Sequence, residues 1–544
     1  MNWTSLYPEA GYTIVGCDYA DSTLFRQTGS VTLRLSNVRY TERVRLAVRK
    51  SDIVFSYYAN GGTRSDGGDS AEPVEVPMNP IHLRLNTAQG TDLFSRAEYT
   101  LFGWNTEADG SGVSVGLGSR TEPENGQRLY AQWSKWSDYA LFQWEPVGDG
   151  IAVTGYSGTD RIVTIPGELD GLPVRVIRDG AFASADCDTV ILPETLHTVE
   201  DGAFSGASLT TLYLFDSIGS ISDYAFSDCK ALQTLHINAA EAPVYSGTYY
   251  ATFPDKLDRL LSLANQKKIV LFSGSSTRFG YDSAAIDAAF PDYDVVNMGV
   301  FAYTNAAPQF EIIRACMGEG DVLLHSPEFD AAQRQFCASN NLDAPFFNMI
   351  EGNYDAVSML DLRSYGQVFT AFHTYLVTKN GMEPRSYDLS PSDFDEDGNP
   401  TESPSYNEYG DYILFRPNAE DDAPVYGLPV RYTPEAIPTA QFIEPLNRVY
   451  ETFLNRGVRV LFTYAPRNAQ AVSEDSTPEA IAALDAHLRA HLCVPVISPI
   501  QESLVRGTYL YGTDNHLSTE GVAIRTEQII RDLQAALEQE DGNG

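Results

Sequence analysis

The sequence predicts a multidomain protein with β-rich modules at the N-terminus, a short solenoid in the middle, and a C-terminal α/β domain whose sheet is mostly parallel. Three observations predict this order. All five tryptophans lie at or before Trp144, a motif then recurs at even spacing, and strand-like and helix-like stretches alternate beyond position 246. At roughly 100–200 residues per domain, a chain of 544 residues has room for several domains.

The formal net charge of −36 bears on the class of partner. A nucleic-acid backbone or an anionic membrane surface attracts basic protein faces, so this charge argues against both kinds of partner. The sequence contains no run of about 18 consecutive apolar residues, the length that a membrane span needs. The six cysteines form neither a CxxC pair nor a Cys/His cluster, so the sequence predicts no metal and no cofactor.

The stretch 1–135 is rich in short runs in which apolar and polar residues alternate, a period that predicts antiparallel strands. We divide it into a β-rich segment, 1–52, and a second module, 53–135. The second module contains the letters FGW at 102–104 and closes with LYAQW at 129–133. This frame resembles the Listeria–Bacteroides (internalin B-type) repeat, which implies a small β-grasp-like module.

The stretch 145–245 contains an internal repeat. The hexads that begin at Ile177, Val199 and Ile221 each end in Ala-Phe, and their starting positions are evenly spaced along the chain. The pattern resembles the BspA type of leucine-rich repeat, which implies a leucine-rich-repeat solenoid whose Ile, Val and Phe side chains stack inward. Two roles remain open for such an array: binding a glycan or protein ligand, or serving as a spacer.

The last segment, 246–544, alternates between strand-like and helical stretches, a pattern that predicts parallel strands covered by helices. The strand-like runs begin at positions 268, 293, 321 and 458, and the helical stretches cover 282–290, 306–317, 438–456, 478–491 and 518–538. An aromatic segment rich in Asn, Asp and Pro, 331–435, interrupts the pattern. We expect this segment to be an insertion over the carboxyl edge of the sheet.

Two segments at opposite ends of this domain carry residues suited to nucleophilic catalysis. The first strand ends in the glycine-rich stretch 272–280, whose serines lie on a strand-to-helix turn. Near the end of the chain, His516 lies in a loop before the last helix, with Asp514 two positions earlier. A histidine with a nearby carboxylate supplies a base and a group that orients it.

The G-x-S-x-x-x-G pattern at 274–280, the Asn-Met-Gly triplet that ends at Gly299, and D-x-H-L-x-x-x-G at 514–521 together resemble the SGNH (GDSL-type) hydrolase superfamily. The resemblance implies a three-layer α/β fold and a serine esterase. It makes Ser276 the nucleophile, His516 the base and Asp514 the group that orients the base. The oxyanion hole is then lined by the N–H groups of Ser276 and Gly299, with Asn297 beside them.

The family's third block, G-x-N-D, is absent. The stretch from His325 to Glu328 stands in its place, so the asparagine that usually completes the oxyanion hole is missing. Either Asn297 or Asn305 is the candidate replacement for the missing donor. A replacement matters because losing one oxyanion donor typically lowers the rate about 10²–10³-fold. The alternatives are an active site with another donor and a degenerate site retained by packing.

Four further residues are candidates for substrate binding: Arg278, Glu328, Arg467 and Asn468. Each lies near a strand end, where substrate-contacting loops gather in open α/β sheets. The alternative for the charged members is a salt bridge within the protein. The acidic stretch 393–399 matches the first half of a calcium-binding loop, but Pro404 stands at the twelfth position, so we expect a solvated turn there.

These observations predict a secreted or cell-surface esterase that acts on O-acyl groups, with an acylated carbohydrate as the expected substrate. The alternatives are an O-acyltransferase that modifies a cell-wall polymer and a non-catalytic adhesion protein with a degenerate SGNH-like domain. The start of the chain carries neither the basic nor the apolar region of a signal peptide. We interpret this start as processed or truncated, and we therefore expect an extracellular or cell-surface location.

Overall fold

In the computed structural model the chain forms two compact units, each built from two separate stretches of sequence. Unit 1 comprises residues 1–246 and 342–386, and unit 2 comprises 247–341 and 387–544. The segment 331–435, expected as one insertion, is therefore divided between the units. The structure describes the backbone of five strands between residues 2 and 50, together with 54–77, 88–121, 126–241, 243–245, 250, 252–382, 406–419 and 425–541.

The N-terminal segment of unit 1 consists of short antiparallel strands. They are β1 (Asn2–Leu6), β2 (Tyr12–Cys17), β3 (Ser22–Gln27), β4 (Ser30–Leu35) and β5 (Leu46–Lys50). One sheet has the order β1-β4-β3, and β2 pairs separately with β5. All of these pairings are antiparallel, as the alternating sequence pattern predicts.

The second module of unit 1 is a mixed sheet of five strands. Its strands and two short flanking ones are β6 (Val54–Tyr58), β7 (Thr63–Arg64), β8 (Val74–Pro77), β9 (Phe94–Ser95), β10 (Tyr99–Asn105), β11 (Ser114–Val115) and β12 (Arg128–Lys135). The sheet order is β11-β10-β12-β6-β8, and β12 pairs with β6 in parallel. Trp104 is buried at its centre, 4.9 Å from the ring of Tyr57, and its indole N–H donates to the carbonyl of Gln89.

The solenoid follows as two ladders of short strands. The strands are β13 (Phe142–Val147), β14 (Gly150–Tyr156), β15 (Ile162–Thr164), β16 (Glu168–Leu169), β17 (Leu172–Ile177), β18 (Thr189–Ile191), β19 (Thr198–Val199), β20 (Thr211–Phe215), β21 (Ser220–Ile221) and β22 (Thr234–Asn238). The ladders β14-β17-β19-β21 and β15-β18-β20-β22 are parallel throughout. Each repeat adds one strand to each ladder, which confirms the predicted solenoid.

An aromatic stack runs through the solenoid core. Phe182, Phe204 and Phe226 are buried at equivalent positions of successive repeats, and each neighbouring pair has ring centroids 4.8 Å apart. The stack ends on Phe369, whose ring lies 4.3 Å from that of Phe226. Phe369 belongs to the segment that joins unit 1 from later in the chain, with helices α6 (Ala344–Ile350) and α7 (Val368–Asn380). These helices cap the last repeat.

A buried cluster of charged groups attaches this cap to the solenoid. The ammonium group of Lys379 forms an ion pair with Asp216 and lies 3.6 Å from Glu351. One oxygen of Glu351 accepts the backbone N–H groups of Val244 and Tyr245. Because buried charges persist only when they are paired and hydrogen-bonded, the cluster fixes how the cap sits on the repeats.

Unit 2 contains a parallel sheet with the order β24-β23-β25-β26. Its elements, apart from the α6 and α7 segment, are α1 (Thr252–Ser262), β23 (Lys268–Phe272), α2 (Ser275–Arg278), α3 (Ser283–Ala289), β24 (Asp294–Asn297), α4 (Ala306–Ala315), β25 (Val322–His325), α5 (Ala331–Ala338), α8 (Glu444–Leu454), β26 (Arg459–Phe462), β27 (Arg467–Asn468), α9 (Pro478–His491), β28 (Leu504–Val505) and α10 (Thr519–Asp541). The observed strands and helices fall within or close to the predicted stretches.

The sheet of unit 2 is covered on both faces. Ile269 and Leu271 of β23 share one core with Ile286 of α3 and Leu533 of α10. On the opposite face, Phe272 packs against helix α4. Parallel strands leave their carboxyl ends at one edge, and the predicted site residues follow those ends.

Among the described helices, none combines the length and the apolar character that a membrane crossing requires.

Candidate functional site

The turn after β23 brings a serine to the carboxyl edge of the sheet. Ser275 is the first residue of the short helix α2, and Gly274 precedes it. A Cβ atom on Gly274 would lie 2.4 Å from Cβ of Ala302. Only glycine fits at this close approach, so the glycine-rich sequence lets the turn pack under the loop that follows β24.

Ser275 is paired with the histidine near the end of the chain. Its Oγ lies 2.9 Å from Nε2 of His516, and both side chains are partly exposed. The backbone N–H of His516 donates to Oγ1 of Thr513, and the ring packs 4.3 Å from the ring of Phe279. When Nδ1 carries the proton, the Ser275 hydroxyl donates to Nε2, which is the arrangement of a nucleophile and its base.

Ser276, the predicted nucleophile, lies elsewhere. Its side chain is buried, and its hydroxyl donates to Oε1 of Glu328 across 2.6 Å. The same oxygen accepts the Ser276 N–H, and the other accepts the hydroxyl of Ser273. The structure therefore brings Ser276 to Glu328, and it brings the neighbouring Ser275 to His516.

Asp514 is not the partner of His516 in this geometry. Its carboxylate accepts the backbone N–H groups of Tyr426 and Gly427 and the side-chain amide of Asn468. Arg467 lies 3.8 Å from it. Among the described residues, the hydrogen bonds of the Asp514 carboxylate thus join the histidine loop to the segments of Tyr426 and Asn468. None of them reaches the imidazole of His516.

The predicted oxyanion donors are also engaged inside the protein. The N–H of Gly299 donates to Oδ1 of Asn297, whose amide nitrogen donates to the carbonyl of Thr277 and to Asp411. Asn297 is fully buried. Asn305 immediately precedes α4 and is buried too. Asn297 is therefore bonded to the serine turn at Thr277, and Gly299 is bonded to Asn297.

The other predicted substrate-binding residues are buried. Arg467 donates to Oδ1 of Asn515 and to the carbonyls of Leu428 and Ala471. Asn468 donates its backbone N–H to the carbonyl of Asp514. Arg467 and Asn468 thus position the loop that carries His516. Arg278 is buried with its guanidinium 4.5 Å from the centre of the Tyr406 ring.

Sequence reasoning missed Arg416. This buried side chain donates to the carbonyls of Phe279, Tyr412 and Leu517. Phe279 follows the helix that begins with Ser275, and Leu517 follows His516, so one guanidinium joins the two halves of the pair. Phe279 and Leu517 lie far from Arg416 in sequence, on opposite sides of it, and no local motif signals the contact.

Asp411 was missed for the same reason. Its buried carboxylate accepts the N–H and hydroxyl of Ser283 and the side-chain amides of Asn297 and Asn407. Burial raises the pKa of Asp411, while these hydrogen bonds oppose the rise. Asp411 is thereby linked to the turn through Asn297, which donates to the carbonyl of Thr277.

The electrostatics around His516 favour its neutral form. Desolvation of the partly exposed imidazole by the surrounding protein, followed by the positive charges of Arg278 and Arg416, lowers the pKa of His516 to about 3. The two guanidinium carbons lie 5.2 and 5.4 Å from the centre of the Phe279 ring, against which the imidazole packs. A neutral imidazole is the form that can accept a proton from serine.

Burial acts in the opposite direction on Glu328. Loss of solvent raises the pKa of this carboxyl, and the hydrogen bonds from Ser276 and Ser273 partly oppose the rise. A cavity of about 20 Å³ lies beside it, lined in part by Gly274, His325 and Cys337. That volume suits a single water molecule.

The described residues contain no group of three or more His, Cys, Asp or Glu side chains placed to hold a metal ion. The acidic stretch 393–399 lies outside the described residues.

Comparison with known proteins identifies the repeats. Residues 172–254 match the BspA type leucine rich repeat region, in six copies. A crystal structure of the T. pallidum leucine rich repeat protein (TpLRR) is similar over 35% of this chain and 71% of that chain, at 21% identity and a TM-score of 0.18. No curated protein matches the chain. The family match establishes BspA-type leucine-rich repeats in unit 1.

Proposed function

We propose that unit 2 is an SGNH-type serine hydrolase of carboxylic esters, with Ser275 as nucleophile and His516 as base. The observation that carries this proposal is the 2.9 Å contact between Ser275 Oγ and His516 Nε2. Its place at the carboxyl edge of a parallel sheet, where α/β enzymes bind their substrates, adds support. The nucleophile is the immediate neighbour of the serine that the family resemblance designates.

The reaction follows from the pair. Ser275 Oγ attacks the carbonyl carbon of the ester while its proton moves to Nε2 of His516. The tetrahedral intermediate expels the alcohol, which takes that proton and leaves an acyl group on Ser275. A water molecule, or a sugar hydroxyl in the acyltransferase alternative, then attacks the acyl-serine, again giving its proton to Nε2. The bond between the acyl carbon and Ser275 Oγ then breaks, Oγ takes the proton back from Nε2, and the acid or the new ester leaves.

The surrounding positive charges act on the first step in two opposite ways: they make His516 a weaker proton acceptor, and they stabilise negative charge on the substrate. The guanidinium groups of Arg278 and Arg416 are the charges that lower the pKa of His516, after burial. The same positive field stabilises the negative charge that develops on the carbonyl oxygen. It offers electrostatic support in a site whose usual asparagine donor is absent.

A fluorophosphonate probe tests the nucleophile without knowledge of the natural substrate. We expect the wild-type protein and Ser276→Ala to be labelled, and Ser275→Ala to be unlabelled. Hydrolysis of p-nitrophenyl butyrate should fall at least about 10³-fold in Ser275→Ala. Labelling that survives in Ser275→Ala but is lost in Ser276→Ala, or no labelling of the wild-type protein, contradicts the assignment.

A second candidate function, ligand binding by unit 1, is favoured by one observation. A cavity of about 340 Å³ lies at the capped end of the solenoid, within the size range of small-molecule sites. Its lining includes Phe226, Leu232, Tyr365 and Phe369, with Lys230 and Arg363. A glycan array of bacterial cell-wall oligosaccharides tests this role. Binding that Tyr365→Ala abolishes supports it, and binding that is unchanged in this variant argues against it.

A further inference from the structure

The segments bonded to the serine turn and to the histidine loop carry several large, exposed apolar or aromatic side chains. The exposed fractions are 43% for Tyr303, 50% for Ile413, 50% for Phe415, 53% for Tyr426, 89% for Leu428 and 47% for Tyr511. We refer to these six residues as the apolar rim. Single exposed apolar residues are ordinary, but a group of them around one site marks an interaction surface.

Backbone contacts tie one side of the apolar rim to His516. The N–H of Tyr511 donates to the carbonyl of His516 across 3.0 Å. The N–H of Tyr426 donates to Asp514, two positions before His516, across 3.1 Å. The carbonyl of Leu428 accepts from Arg467, which also donates to Asn515. Three of the six exposed side chains therefore belong to segments linked to the histidine loop, with Leu428 linked through Arg467.

Other contacts tie the rest of the rim to the serine turn. Ile413 and Phe415 lie between Tyr412, whose N–H donates to the carbonyl of Arg278, and Arg416, which donates to the carbonyl of Phe279. Tyr303 directly follows Ala302, the residue packed against Gly274. The segments that carry the apolar rim are thus linked to both the serine turn and the histidine loop.

The polar side chains near the pair are turned inward. Glu328, Arg467, Asn468 and Asp514 are all buried and bonded within unit 2. Arg278 is buried beneath aromatic rings. The exposed side chains named above are aliphatic or aromatic, and the charged side chains near the pair are buried.

We propose that the apolar rim binds the acyl chain of the substrate, so that the site favours esters of medium- and long-chain acids over acetyl esters. This inference rests on the proposed ester hydrolysis and names the substrate class for that site. The 20 Å³ cavity beside Glu328 is too small for such a chain. In this proposal the acyl chain lies along the protein surface. Its contact with the apolar rim removes apolar area from water.

A series of p-nitrophenyl esters tests the acyl preference. We expect kcat/KM to rise about tenfold or more from acetate to octanoate, because each buried methylene favours binding in the transition state. Leu428→Ser and Phe415→Ser should lower the octanoate-to-acetate ratio several-fold. The matched control is Leu454→Ser, another exposed apolar site at the end of α8, which should leave the ratio unchanged.

The outcomes separate the two proposals. Hydrolysis that depends on Ser275 but shows no chain-length preference, or a ratio that the rim variants do not alter, overturns the acyl-chain inference and leaves the esterase proposal standing. Absence of Ser275-dependent turnover with every ester overturns both. A concentration-dependent dimer that Leu428→Ser abolishes in sedimentation would instead make a second copy of the chain the occupant of the rim, and it overturns the inference as well.

Discussion

The hydroxyl of Ser276 donates to Oε1 of Glu328 across 2.6 Å, and both groups are buried. The neighbouring residue, Ser275, is partly exposed. The carboxylate of Glu328 accepts hydrogen bonds from both Ser273 and Ser276. These contacts fix the residues on either side of Gly274 and Ser275. Glu328 therefore acts as a positioning residue for the proposed nucleophile.

Replacing Glu328 with glutamine should disturb this turn without removing bulk. The amide of Glu328→Gln supplies a single acceptor oxygen for the three donors that the carboxylate holds. We expect kcat for p-nitrophenyl butyrate to fall roughly 100-fold, the size of effect that a misplacement of about 1 Å produces, with KM little changed. Circular dichroism and steady-state kinetics check the prediction. An unchanged kcat in a folded variant would show that Glu328 does not position Ser275.

The acid limb of the pH profile should lie unusually low. Catalysis requires neutral His516, and its pKa is lowered to about 3, so the neutral form still dominates at pH 5. An ordinary histidine, with a pKa of about 6.5, would be largely protonated at pH 5. We expect kcat/KM to stay level between pH 7 and pH 5, and Arg278→Gln to move the acid limb to higher pH. A limb centred near pH 6.5 in the wild-type protein contradicts this expectation.

Loss of Arg416 should destabilise unit 2. The Arg416→Met variant leaves the buried carbonyls of Phe279, Tyr412 and Leu517 without this donor. Since each buried acceptor left unsatisfied costs about 1–3 kcal/mol, we expect the free energy of unfolding to fall by about 3 kcal/mol or more. Urea unfolding measures this change. Arg448→Met, on the exposed side of α8, is the matched control and should unfold like the wild-type protein.

The solenoid cap should depend on Lys379. In the Lys379→Met variant the carboxylates of Asp216 and Glu351 lose their buried cation, and breaking such a pair costs about 3–5 kcal/mol. We expect a lower unfolding temperature for unit 1 by calorimetry. Arg363→Gln removes a solvent-exposed ion pair with Asp361 in the same segment and should have little effect. Equal losses in the two variants would mean that the buried pair is not what attaches the cap.

The repeats and the parallel sheet could be predicted because their signals are periodic. Evenly spaced hexads place Phe182, Phe204 and Phe226 in one stack, and the structure confirms that arrangement. In unit 2, the continuous apolar run 269–272 lies in a strand buried on both faces, as is typical of parallel strands. Periodic patterns of this kind reflect local backbone geometry, which the sequence carries directly.

The site is less accessible to sequence reasoning because its partners are distant. Ser275 and Ser276 are adjacent, yet successive residues of a helix point about 100° apart, so they meet different partners. The sequence alone cannot tell which hydroxyl faces His516. Asp514 illustrates the same limit, because its closeness to His516 in sequence suggests a pair, whereas its backbone donors are Tyr426 and Gly427.

The end of the aromatic stack has a consequence for synthesis of the chain. Phe369, the ring that closes the stack on Phe226, is encoded after β23, β24 and β25 of unit 2. During synthesis the apolar end of the last repeat therefore stays uncovered until these strands, their helices and Phe369 have left the ribosome. Protein truncated after Tyr245 would keep that open end permanently. Such a fragment should associate end to end, as solenoids without a terminal cap do.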